Sequence, residues 1–198
     1  MTKLDPVLLE IIQNRLLEIG REAGTAMVRT AASPVVIESK DFGFNICDHL
    51  GRTVVYSLWM PRHGTTLNFM LQSSLKRFGA NGIHPGDMIL VNNPYDGALH
   101  VLDLAVIAPV HKDGELVAWT ACATHHMDMR AMRPGICSEA TDWYQEGIVF
   151  RPIKLVERGQ LREDIFDLIM DNVRVPHYTG LDLKSQIAAN NVAGRRIL

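Results

Sequence analysis

Two apolar runs on either side of a tight turn restrict the fold more than any other stretch of this chain. Leu102 to His111 and Glu115 to Thr124 are rich in Val, Ala and Ile, with Trp119 in the second. Between them lies Lys112-Asp113-Gly114. Asp-Gly is suited to the positive-φ positions of a two-residue hairpin turn, so the runs are predicted to pair antiparallel with Gly114 at positive φ. Such a hairpin has an open end, and the residues there belong to two groups far apart in sequence. One is Gly97-Ala98-Leu99-His100-Val101-Leu102-Asp103, the other Thr124-His125-His126-Met127-Asp128.

The register decides which of these side chains meet. If Asp113-Gly114 alone form the loop, Asp103 faces Thr124 and shares a face with His126, because side chains alternate along a strand. If Lys112-Asp113-Gly114 form a three-residue loop, Asp103 shares a face with His125. His100 lies three residues from Asp103, so it joins Asp103 only if the strand begins after it or bulges. Imidazoles and a carboxylate converging at a strand end suit a divalent ion, with zinc, manganese and iron the candidates for that donor set.

The rest of the chain alternates between helical and extended patterns. Asp5-Pro6 reads as the start of a long helix, with Leu8, Ile12, Leu16, Ile19, Ala23 and Met27 along one face. It is expected to end before Ser33-Pro34, and its Gly20 and Gly24 offer a site of close approach. Short strands are predicted near Phe42–Cys47 and Thr53–Leu58, joined by Asp48 to Arg52. A helix is predicted over Thr65–Phe78, stopped by Gly79, then a buried strand Met88–Val91. His125 to Gly147 reads as a polar loop. A strand near Val149–Leu155 and helices near Arg162–Val173 and Leu181–Leu198 complete the pattern. The expectation is a single α+β domain over residues 1–198: a long N-terminal helix, antiparallel hairpins and C-terminal helices around one core. The last helix runs into Leu198 without a stop signal, so the chain is read as a piece of a larger one.

Composition narrows the functional classes. The formal net charge is -2 with both signs interspersed, and no basic stripe suggests nucleic acid. No apolar run reaches the ~18 to 20 residues of a membrane helix. Asp5-Pro6 stands where a signal peptide would be apolar, and three widely spaced cysteines read as reduced thiols, so a cytoplasmic setting is expected. Cys122 falls inside a strand and reads as a core thiol. Cys137 sits in a loop without an identifiable base, and Ser73-Ser74 lie within a helix. No Walker or Rossmann glycine pattern occurs.

A set of motifs spread along the chain resembles the hydantoinase B/oxoprolinase family. They include Asp5-Pro6-Val7-Leu8-Leu9-Glu10, Ser39-Lys40-Asp41-Phe42, Pro85-Gly86-Asp87, Asn93-Pro94-Tyr95 and His100-x-x-Asp103. Thr124-His125-His126-x-Asp128, Tyr144-Gln145-Glu146-Gly147 and Asp182-Leu183-x-x-Gln186-Ile187-Ala188-Ala189-Asn190 extend the likeness to nearly the whole chain. The resemblance implies the metal-dependent B component of an ATP-dependent hydrolase of cyclic amides such as hydantoins, 5-oxoproline and lactams. It implies His100, Asp103 and His125 as metal ligands, with His126 and Asp128 orienting a ligand or moving protons as catalytic residues. It also implies a hydantoinase A-type partner subunit that binds ATP, a small-molecule substrate, and a further C-terminal portion of the B component. Two rival readings are the metal-bearing subunit of a ketone carboxylase and a truncated interaction module without activity. The chain departs from the family at Asn92-Asn93, Gly97-Ala98-Leu99 and Met129-Arg130-Ala131, around the ligands rather than at them.

Overall fold

The computed structural model of the protein describes residues 5–56, 59–79 and 81–198. Helix α1 spans Pro6–Thr30. Asp5 caps it by accepting a hydrogen bond from the Val7 N–H, and Pro6 occupies the first turn, where no N–H is needed. Ser33 caps a short helix α2, Pro34–Ile37, in the same way. The strands are β1 (Phe42–Asp48), β2 (Thr53–Val55), β3 (Met88–Val91), β4 (Asp103–Lys112), β5 (Glu115–His125), β6 (Ile153–Glu157) and β7 (Gln160–Leu161). Helix α3 covers Pro61–Phe78 between β2 and β3, and α4 (Glu163–Met170) and α5 (Pro176–Ile197) close the described chain. Of the predicted strand Thr53–Leu58, Ser57 and Leu58 lie outside the described residues.

All seven strands join one antiparallel sheet in the order β2-β1-β5-β4-β3-β6-β7. The predicted hairpin is its centre. Alternation along β4 sends Leu104, Val106 and Ala108 to one face, where they pack with Leu155, Ile165 and Leu183. Ala105 and Ile107 go to the other, against Leu67, Met70 and Leu71 of α3. A third cluster joins Phe42, Phe44 and Cys122 to Ile19, Ala23 and Met27 of α1 and Ala189 and Ala193 of α5. The sheet therefore has α3 on one face and α1, α4 and α5 on the other. At Gly24 the Trp59 ring lies so close that a Cβ would come within 2.0 Å of it, which is why α1 carries a glycine there.

The hairpin register combines features of both alternatives. Asp113 and Gly114 alone form the turn, both at positive φ (52° and 86°), with Lys112 opposite Glu115. The ladder then shifts: His111 pairs with Leu116, but Val110 pairs with Ala118. The extra residue, Val117, is a bulge. It advances β5 by one position and places Asp103 directly opposite His125, on the shared face that a three-residue loop would also have given them, although that loop would have set Asp103 opposite Ala123.

Helix boundaries differ from the sequence expectation in one place that matters for the site. α3 begins at Pro61, four residues before Thr65, with Pro61 in the first turn. That extra turn carries Arg62 and His63. β7 and α2 are additional elements, too short to show a period in the sequence. α5 starts at Pro176, ahead of the predicted Leu181.

Candidate metal centre

The site lies where β4 begins, β5 ends and β1 begins. A turn precedes β4, closed by the Asp103 N–H donating to the His100 carbonyl at 3.1 Å. The strand thus starts after His100, and the turn folds its ring back over Asp103. Asn92, fully buried, holds that turn: its Nδ2 donates to the carbonyls of Val101 (2.7 Å) and Ile148 (2.9 Å), and its Oδ1 accepts from the Phe150 N–H (2.6 Å). On the neighbouring strand, the His125 N–H and the Thr124 hydroxyl both donate to the Asp41 carbonyl at 3.0 Å, fixing the end of β5 against the start of β1.

Asp103 is the centre of the cluster and is wholly buried. Its Oδ1 lies 3.1 Å from Nδ1 of His125 and 3.4 Å from Nδ1 of His100. The two imidazoles stand edge to face, centroids 4.8 Å apart. One ligand atom from each of His100, Asp103 and His125 lies within 4.8 Å of the others. Oδ2 of Asp103 and Nδ1 of His100 are buried without hydrogen-bond partners. A buried carboxylate oxygen with no donor is costly unless a cation supplies the missing interaction. Two nitrogens and a carboxylate, partly open to solvent through His100, match the donor set of a divalent site with a free position. Burial pushes the His100 imidazole below the ordinary histidine range, against the opposing pull of Asp103, which favours the neutral form that can donate a lone pair.

His126 and Asp128, the residues expected to be catalytic, are tied into the opposite side of the sheet. His126 is fully buried, with Nε2 3.2 Å from Oε1 of Gln186 on α5. The Gln186 amide nitrogen in turn donates to the carbonyls of Leu104 and Cys122, so its oxygen is the atom free to accept from His126. Asp128 accepts from the Arg130 N–H, the Arg174 N–H and the Arg174 guanidinium. These bonds fasten the loop after β5 to the link between α4 and α5. Neither residue joins the His100–Asp103–His125 cluster.

Two further side chains at the site have no role predicted from the sequence. His63, on the first turn of α3, is wholly buried, with Nε2 2.8 Å from Oδ1 of Asp41 and Nδ1 3.8 Å from Oδ2 of Asp103. Arg62 reaches both carboxylate oxygens of Asp41 at 2.6 Å. The available signal is Pro61 as a helix start, which puts Arg62 and His63 on an ordered turn. Beside His100 a cavity of about 110 Å³ is lined by Val101, Leu102, Ile136, Cys137 and Glu146.

Comparison with known proteins decides the family. The family model described as hydantoinase B/oxoprolinase matches residues 5–198. The chain belongs to the hydantoinase B/oxoprolinase family. It is 28% identical to a putative D-/L-hydantoinase B-type subunit from Pseudomonas sp. strain NS671, over all of this chain and 34% of that protein. The crystal structure of the ATP-dependent caprolactamase from Pseudomonas jessenii superposes with a TM-score of 0.91 at 31% identity, covering 99% of this chain and 34% of the other. Nucleotide-free acetone carboxylase shares the fold, with a TM-score of 0.88 at 23% identity over 98% of this chain and 26% of that one. The chain thus spans about a third of the length of the hydantoinase and caprolactamase relatives. Among the described residues no helix is long and apolar enough to cross a membrane.

Proposed function

We propose that this chain is the metal-holding part of the B component of an ATP-dependent hydrolase of cyclic amides. The observation that carries the reading is the buried Asp103 carboxylate facing the Nδ1 atoms of His100 and His125, with one oxygen unpartnered. It occurs in a family with relatives named as a caprolactamase and a hydantoinase component. His100, Asp103 and His125 would hold the ion, and zinc, manganese and iron suit that set. When bound, such an ion polarises a carbonyl and acidifies a water.

The protein's own part is to keep three donors in place before the ion arrives. Asn92 fixes the turn that carries His100, the Val117 bulge sets His125 opposite Asp103, and the backbone of Asp41 anchors the end of β5. His100 is the open edge of the cluster, and the adjoining cavity is where a small ring would approach it. His126 and Asp128 support this arrangement from behind, by holding β5 and its following loop to α5 and Arg174. The chain carries no Walker or Rossmann glycine pattern, so ATP is assigned to a partner subunit of the hydantoinase A type. Resonance with nitrogen makes an amide carbonyl a poor electrophile, and phosphorylation of its oxygen on the partner would make that carbon open to attack, with the ring C–N bond breaking and the nitrogen taking up a proton.

The test is reconstitution of the chain with the remainder of a B component and an A-type partner. ATP-dependent opening of a hydantoin, 5-oxoproline or a lactam is expected, lost in both His100→Ala and Asp103→Ala. Ring opening by the chain alone without ATP would contradict the division of labour. Incorporation of labelled bicarbonate in place of hydrolysis would assign the complex to the carboxylases instead.

A further inference from the structure

Helix α1 is longer than the body it packs against. Ile19, Ala23 and Met27 are buried with β1 and α5, whereas every residue from Pro6 to Arg15 is exposed. That bare stretch rises roughly 15 Å along the helix axis. It is not a polar overhang. Val7, Leu8, Leu9, Ile11 and Ile12 are all apolar, with Glu10 the one polar residue among them. Val7 is 63% exposed and Ile11 59%. Single apolar residues on a surface are ordinary, but a contiguous patch of this kind marks a contact.

The helical period says how the patch is arranged. Leu8, Leu9 and Ile12 fall in the same sector as Leu16, Ile19 and Ala23, so they prolong the stripe that is buried further along. Val7 and Ile11 fall outside that sector, and the first two turns are therefore apolar around more than half of their circumference. A helix end of that kind is suited to a groove that encloses it, rather than to a flat surface. The polar residues of the stretch are Glu10, Gln13, Asn14 and Arg15, which is not the Lys- and Arg-rich face of a helix lying on a membrane. The neighbour that buries the rest of the stripe stops short of it. α5 runs antiparallel to α1: Asp182 near its start accepts from the Ala32 and Ser33 N–H groups just past the end of α1, and Arg196 near its end pairs with Glu22 in the middle of α1 at 2.6 Å and 2.9 Å. The bare stretch of α1 lies beyond the level of the last turn of α5.

We propose that the exposed turns of α1, Val7 to Ile12, dock into an apolar groove on the remainder of the B component, in line with α5. Two observations choose that occupant over a separate subunit. The exposed residues continue, in phase, a stripe that is already buried within this component, so the groove extends the same core. This chain also spans only 34% of the hydantoinase and caprolactamase relatives, which leaves two thirds of a family component to supply the groove. Contacts that are this apolar belong to permanent interfaces rather than to transient ones. The proposal rests on membership of the family and not on the metal.

The experiment places a benzophenone amino acid at Ile11 of the full chain, co-expresses it with the remainder of a B component and an A-type partner, and identifies the photo-adduct by mass spectrometry. An adduct with the remainder of the B component is expected. The double variant Leu8→Asp/Ile12→Asp should weaken that association by about a hundredfold or more, since it would bury two unpaired charges. It should leave the urea midpoint of the chain alone unchanged, which separates lost docking from lost folding. An adduct with the A-type partner or with a second copy of this chain, or no adduct at all, would overturn the proposal. So would a lowered midpoint of the double variant alone, because the stretch would then already be covered within this chain. Neither readout needs metal or ATP, so a failure here is distinct from a failure of the hydrolase reading.

Discussion

At His126 the chain buries an imidazole whose Nε2–H ends on the Gln186 side chain, and whose Nδ1 has no partner. Burial holds this group below the ordinary histidine range, and the charges of Asp182 and Asp103 do not reverse that. His100 and His111 shift the same way, again through burial. A depressed histidine has a definite sign in the stability balance. The unfolded chain takes up a proton as the pH falls through about 6.5, while the folded protein resists it, so stability present above that pH is lost below it. The urea midpoint is therefore expected to be lower at about pH 5.5 than at about pH 7.5, and His126→Gln should shrink the difference. A midpoint that rises on acidification would contradict the assignment.

Among the elements, α1 separates what a periodic pattern shows from what it leaves open. Its apolar face is continuous in sequence from Leu8 to Met27, yet burial begins only near Ile19; Leu8 and Ile12 remain 47% and 44% exposed. Ile19→Ala should cost about 2 to 4 kcal/mol by chemical denaturation, while Ile12→Ala should stay within about 0.5 kcal/mol. Equal losses at both positions would mean that the helix packs along its whole length. The hairpin is readable because Asp-Gly between two β-rich runs is a local signal. Its register is not, since the bulge at Val117 leaves no mark on composition. α5 is legible only in part. Asp182, Gln186 and Asn190 recur every fourth residue on its buried face, where they bond the Ala32 and Ser33 N–H groups and the carbonyls of β4 and β5. A buried polar stripe blurs the apolar period from which a helix is read.

Over the whole molecule, the site is assembled by long-range contacts, and that determines how much of it is legible in the sequence. Asp103 and His125 are joined by the hairpin and His100 by the turn before it, all within one supersecondary unit whose motifs stand out in sequence. Asp41 and His63 arrive from the residue just before β1 and from α3, through a side-chain contact spanning 22 residues of sequence, and no window of local pattern relates them. The same holds for Asn92, which bonds the His100 turn at the Val101 carbonyl and ties it to the distant Ile148 and Phe150. The family assignment rests on motifs along the whole chain, and the metal centre is the chemical claim built on it. The most direct measurement of that claim is a crystal of the zinc- or manganese-loaded protein, with diffraction collected on both sides of the metal absorption edge. One anomalous peak is expected, contacting His100, Asp103 and His125 together. A fully loaded protein whose peak lies away from Asp103, or a saturated crystal with no peak at all, would contradict the account.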